Sequence, residues 1–265
     1  MNKTVTATGM QVKAVSSSSL VIAKTLGGTG VGTETTVTFD TAVAELIPAS
    51  HISDGGTYSG SNSTNLYYNT NPGAVSAASG YAADSTTAPL TFAYAANKAA
   101  TTTDPAENYY VDYVVYIAAA GAQMANQDLK VKLFMSSATY ASLADTTKAI
   151  TVDFYVADEA VTSGFVATSG ASDYLGTFAG KLNLSSLSEV AASSTYETAE
   201  LNLAASGIAI PQNKSTTDYL RVTMRVYFDG NLQKATGQAY VYSDAVSTAN
   251  ITFSASFTAS EHPTA

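Results

Sequence analysis

The sequence predicts an all-β protein, a jelly-roll-like antiparallel β-sandwich with long loop insertions and few short helices. Three observations carry this expectation. Apolar and polar residues alternate with period 2 in run after run, as half-buried strands require. Those runs are rich in Val, Ile, Thr, Tyr and Phe, the residues that suit a pleated surface. No long stripe with a 3.6-residue period is present, so the parallel sheets of α/β folds, which need crossover helices, are not expected.

Along the chain, Met10, Val12 and Ala14 share one phase of a first strand, and "SSSSLVIAKT" supplies a second after a polar turn. Further strands are expected at 35–40 and 90–95. The run 109–118 is apolar or aromatic on both faces apart from Asp112, which reads as a central strand covered on both sides. Leu129, Val131, Leu133 and Met135 alternate with Lys130, Lys132 and Phe134. Ile150, Val152, Phe154 and Val156 alternate with Thr151, Asp153 and Tyr155. A weaker strand is expected at 198–203. Leu220, Val222, Met224, Val226 and Phe228 alternate with Arg221, Thr223, Arg225 and Tyr227, and Ile251, Phe253, Ala255 and Phe257 with Thr252, Ser254, Ser256 and Thr258. Single helical turns fit 137–147 and 184–192. Two stretches interrupt the pattern: 53–88, rich in Gly, Ser, Asn and Thr, and the turn-rich 157–196. The first is too long for a structureless connection and reads as a surface insertion with its own small hairpins or as a binding loop. With no linker and no repeat of fixed period, residues 1–265 are expected to form one domain.

Composition narrows the function classes. Charged residues make up only 12% of the chain against 46% hydrophobic, so Ser, Thr, Asn and Gly keep the surface wet, a pattern of extracellular and assembly-forming proteins. Net charge is −9 with 12 basic residues, and the densest basic pairs, Lys130/Lys132 and Arg221/Arg225, read as solvated strand faces. Nucleic acid as a partner is therefore not expected. No cysteine is present, which removes disulfides and thiolate chemistry. No stretch reaches the roughly 20 apolar residues of a membrane span, and residues 2–22 lack the apolar core of a signal peptide, which is expected to have been removed from a secreted precursor.

No catalytic set is legible, and the chain is expected not to be an enzyme and to need no cofactor. The two histidines, His51 and His262, lie far apart, and no metalloprotease, nucleophile-elbow or P-loop pattern occurs. Asp104 with Glu107, and Asp158 with Glu159, are close enough to contribute oxygens to calcium but read more simply as solvated turn carboxylates. Tyr67, Tyr68 and Tyr81 in the 53–88 insertion form a possible binding loop, because tyrosine is favoured at interfaces. Five N-x-[ST] sequons, at Asn2, Asn62, Asn183, Asn213 and Asn250, arise readily in so Asn-, Ser- and Thr-rich a chain. Isopeptide bonds between Lys and Asn or Asp, known in Cys-free surface proteins, depend on spatial proximity that spacing does not give.

The N-terminus holds the sharpest signal. Val5 and Ala7 share a phase that flips at Gly9, so that Met10 and Val12 fall on the other. Residues 2–8 thus read as a possible donor arm beyond the domain's own first strand. Val5, Ala7, Met10 and Val12 are the candidate assembly residues.

Three pieces, "TATGMQVKAVSSSSLVIAKT", "YYVDYVVYIAAAGAQMANQDLKVKLFMS" and "LRVTMRVYFDGN…ANITFSASFTA", resemble the TasA/camelysin family of secreted biofilm-matrix proteins over about a third of the chain. The resemblance implies a jelly-roll domain, secretion, and self-association into fibres in which an N-terminal segment of one subunit completes a sheet of the next. The 53–88 insertion departs from that family's pattern. The expected function is accordingly a structural subunit of an extracellular fibre or biofilm matrix, polymerising by head-to-tail β-strand complementation. The alternatives are a cell-surface adhesin or carbohydrate- or protein-binding module using the 53–88 loop, a carboxylate hydrolase or camelysin-like protease, and a shell subunit.

Overall fold

The computed structural model describes residues 9–26, 30–41, 43–53, 57–58, 66–69, 92–95, 97–99, 101–102, 106–144, 147–158, 175–191, 193–214, 218–230 and 246–263. Among the described residues, ten strands make up most of two facing sheets: β1 (Gln11–Ser16), β2 (Leu20–Ala23), β3 (Thr36–Asp40), β4 (Tyr110–Ala119), β5 (Met124–Ser136), β6 (Ile150–Asp158), β7 (Thr177–Asn183), β8 (Thr195–Glu197), β9 (Leu220–Phe228) and β10 (Thr252–Glu261). Sheet A runs β8-β5-β10-β1-β3, with the short strand Ser188–Glu189 beyond β8, and Leu201–Asn202 and Ile208–Ile210 also pairing with β5. Sheet B runs β7-β6-β9-β4-β2. The all-β sandwich expected from the alternation is what the chain forms.

The alternating apolar sets are the core between the sheets. Val12 and Ala14, Leu129 to Met135, Ile150 to Val156, Leu220 to Phe228 and Phe253 to Phe257 all place their predicted phase in one buried cluster. Each fully buried Phe, Leu or Ile contributes about 1.5–3 kcal/mol relative to exposure. The helical signals are short, as expected. α1 (Ser137–Ser142) starts at Ser136, whose hydroxyl accepts the Thr139 N–H at 3.1 Å, and single 3-10 turns occupy Thr147–Ala149 and Leu184–Ser186.

Three features go beyond the sequence expectations. First, β1 and β10 pair in parallel while β1 and β3 pair antiparallel, so the two terminal strands are neighbours in the middle of sheet A. Second, the expected strand at 198–203 is reduced to Leu201–Asn202; ahead of it Thr198 meets Leu133 twice, its N–H donating to the Leu133 carbonyl at 2.9 Å and its hydroxyl accepting the Leu133 N–H at 3.0 Å. Third, the polar phase of β9 is not solvated: all nine of its residues are buried. The outer face of sheet B lies beneath a further layer. Ala49, Leu66, Ala95 and Tyr109 pack on Tyr227, and Val31 and Tyr219 pack with Val21 and Ala118. The reading of Arg221 and Arg225 as a solvated face is thereby corrected. Both are 7% exposed, and register places charged partners beside Arg225. By contrast, Lys130 and Lys132 are only half-buried on sheet A and pair with Asp128 and Glu197. The 53–88 segment contributes small hairpin pieces, Ile52–Ser53 with Thr57–Tyr58, and Tyr67–Asn69 with Phe92–Tyr94. Leu66 lies in the covering layer, and the rest of 53–88 lies outside the described residues.

Candidate functional site

The N-terminal strand is anchored by its own core. Met10 and Val12 are fully buried in the domain, so of the four candidate assembly residues these two belong to the subunit's own sandwich. Val5 and Ala7 lie outside the described residues. Between the two pairs stands Gly9, where the phase changes. A Cβ there would sit 2.4 Å from the Thr41 carbonyl oxygen and 2.9 Å from that of Val43. The chain passes the 41–43 backbone at a distance only glycine allows, and the Thr41 N–H bonds to the Met10 carbonyl at 3.1 Å. This passage pins the register of β1. Gly9→Ala is expected to cost about 1–3 kcal/mol through overpacking, read as a lower urea midpoint with an unchanged m-value.

Edges decide where another strand can add. β3 is partly blunted, because the Lys24 ammonium donates to the Thr38 carbonyl at 2.6 Å and lies 5.7 Å from the Phe39 ring centroid. β7 is seven residues long and, among the described residues, pairs in the ladder with β6 alone.

The outer face of sheet B holds a buried polar and aromatic row that the sequence did not reveal. Cross-strand register aligns Asp112, Arg225, Asp153 and Lys181 on β4, β9, β6 and β7. Arg225 donates twice to Asp112, Nε to Oδ1 and Nη2 to Oδ2, both at 2.8 Å, and its guanidinium carbon sits 3.9 Å from the Tyr110 ring centroid. Burial pulls the guanidinium pKa down, but the Asp112 bonds outweigh it and raise the group above its ordinary value. Asp153, fully buried, lies 2.7 Å from His51 Nε2 and accepts the hydroxyls of Tyr227 at 3.2 Å and Tyr155 at 3.3 Å. Burial first, and the Asp153 charge second, push the Tyr155 phenol up. Phe178 and Tyr227 meet the His51 ring edge-on, at centroid distances of 6.2 and 5.8 Å. His51 is thus held through a carboxylate at 2% exposure, an arrangement that fixes the covering segment to the sheet. Its only sequence signal was a lone histidine, and its partner lies 102 residues away.

The remaining candidates separate. Tyr68 meets the Tyr109 ring at a tilt of 33° and a centroid distance of 4.7 Å, and Tyr67 bonds to Ser50 through its backbone; both are half-buried in the covering layer. Tyr81 lies outside the described residues, as do Asp104 and Glu159. Glu107 pairs with Lys98 at 2.7 Å and accepts the Tyr109 hydroxyl; these partners, Lys98 foremost, hold its carboxyl below the usual range. Of the sequon asparagines, Asn213 is spent internally, accepting the Val31 N–H and donating to the Gly32 carbonyl, and Asn250 is exposed at a φ of 63°. Asn183 accepts the Ser185 hydroxyl, while Asn2 and Asn62 lie outside the described residues. No group of three or more His, Asp or Glu that could hold a metal occurs among the described residues.

His262 closes the end of β10 against β5: its N–H bonds to the Asn126 carbonyl at 2.9 Å and its Nδ1 lies 2.6 Å from Asp128 Oδ1. His262 first, then Asn202, hold the Asp128 carboxyl below its usual 3.8. A depressed carboxylate stabilises the fold above its unfolded value and loses that contribution as pH falls through the folded one. The clasp is therefore expected to loosen below about pH 4, seen as faster amide exchange at 260–262, and Asp128→Asn is expected to remove that pH dependence.

Comparison with family models, curated proteins and solved structures finds no match to this chain.

Proposed function

We propose that this chain is a structural subunit of an extracellular fibre or biofilm matrix, without enzymatic activity, that polymerises head to tail when residues 2–8 of one subunit add a strand to a sheet of the next. The observation that carries the reading is the Gly9 passage. Met10, Val12 and Ala14 are committed to the subunit's own core, while the β-prone Val5 and Ala7 fall on the opposite phase in the sequence, before Gly9. An unpaired sheet edge presents N–H and C=O groups that an added strand satisfies. β7 is the longer described edge and the one without a Lys24-type block, and it is the acceptor we favour. A contact between two different surfaces that does not close on itself repeats into a filament.

Electron microscopy of the purified chain with and without residues 2–8 tests this reading. Fibres are expected from the full chain and none from the truncated one. The truncated subunit should keep its urea midpoint, with a change of at most about 0.5 kcal/mol, because the removed residues precede the core. Fibres of equal abundance from the truncated chain, or none from the full chain in any condition, would sink the proposal.

A further inference from the structure

We propose that Lys181 and Asp229 form an intramolecular isopeptide bond, a self-made cross-link that ties edge strand β7 to the end of β9 across β6. The Lys181 Nζ lies 3.7 Å from Asp229 Oδ2, with the lysine side chain 27% exposed and the aspartate 3%. Both ends are held. The Asp229 N–H bonds to the Ala149 carbonyl at 2.9 Å, and Gly230 N–H to that of Ala49 at 3.1 Å. Lys181 is fixed in register opposite Asp153. Asp153 shares the outer face with both partners and stands among Tyr155, Tyr227 and the His51 ring. A reacting amine, a reacting carboxyl and a second buried carboxyl thus gather on one face lined by aromatic rings.

The chemistry balances without any co-reactant. The Nζ lone pair attacks Asp229 Cγ, a C–N bond forms, and a C–O bond of the carboxyl breaks. The Asp153–His51 pair takes the proton that the amine sheds and returns it to the departing hydroxyl, which leaves as water. Nothing is oxidised or reduced. The reaction consumes the neutral amine and the neutral acid, forms that a water-poor site favours over isolated ions. Orientation contributes too: the Nζ stands 3.7 Å from an oxygen of the carboxyl it attacks, a small movement from the about 3–3.5 Å approach at which positioning lowers a barrier most. In a chain with no cysteine, this is a covalent brace independent of redox conditions, and it stands whether or not the subunit polymerises.

Intact-mass spectrometry of the folded full chain, followed by digestion, tests it. The chain is expected about 18 Da lighter than its sequence, one water, with a branched peptide joining Lys181 to Asp229. Lys181→Arg and Asp229→Ala are expected to restore the full mass. Asp229→Asn is expected to condense with loss of ammonia instead, about 17 Da. Asp153→Asn is expected to slow bond formation while circular dichroism shows the fold kept, and Asp153→Glu to recover it. A folded wild-type chain that keeps its full sequence mass would show an ordinary ion pair and overturn the proposal. Unchanged bond formation in Asp153→Asn would overturn the relay assigned to Asp153.

Discussion

Replacing Asp112 with Ala is expected to lower the unfolding free energy by about 3–5 kcal/mol, because it strands the buried Arg225 guanidinium without its bidentate partner. The loss follows from position. Arg225 sits on the central strand of sheet B with its side chain 9% exposed, and Asp112 is 14% exposed on the neighbouring strand. Water that would re-solvate a surface arginine reaches this one poorly, so the desolvation cost remains while both charge-assisted bonds to Asp112 are gone. The Tyr110 ring and the Asp153 carboxylate across the strand return only part of it. The paired change Asp112→Leu with Arg225→Met is expected to recover most of the loss, since swapping a whole buried pair for apolar residues of similar volume is often close to neutral. Urea unfolding of the two single variants and the double variant closes the cycle and gives the coupling directly. A cost below about 1 kcal/mol for Asp112→Ala would mean that the Asp112 bonds are not what holds the buried Arg225.

Phe257→Ala is expected to cost about 3–5 kcal/mol, the usual range for removing a buried aromatic side chain. Phe257 is fully buried, and on β10 it pairs with Val131 of β5 on one side and with Ser16 of the parallel β1 on the other. The cavity therefore opens where the two terminal strands meet, and β1 should lose protection from amide exchange together with β10. The adjacent Thr258, half-buried on the other face of sheet A, gives the contrast: Thr258→Ala is expected to stay within about 0.5 kcal/mol.

These two sites also mark what sequence reasoning could and could not read. Phe253, Ala255 and Phe257 were legible as a core face because period-2 alternation reports directly which side of a strand is buried. The same rule misled at Leu220–Phe228. There the polar phase faces a covering layer rather than water, and Ala49, Leu66, Ala95 and Tyr109 of that cover lie more than a hundred residues before Tyr227, in segments without a clear alternating pattern. Polar residues in a strand signal a wet face only when nothing else is built over it. The Asp112–Arg225 and His51–Asp153 pairs depend on a strand register that no local pattern fixes, and the parallel pairing of β1 with β10 is likewise non-local. The phase flip at Gly9 was legible because a strand break writes itself into adjacent residues. The close approach of Thr41 and Val43 that makes glycine necessary there was not.

The central claim, that the segment before Gly9 pairs with a neighbouring molecule, is tested most directly by a photo-reactive amino acid placed at residue 5 of the full chain. Irradiation of assembled protein is expected to give covalent dimers and a ladder of longer species, with the cross-linked peptide mapping to a sheet edge of another subunit, β7 first among them. Cross-links found only within single chains would contradict the account and make residues 2–8 part of their own subunit.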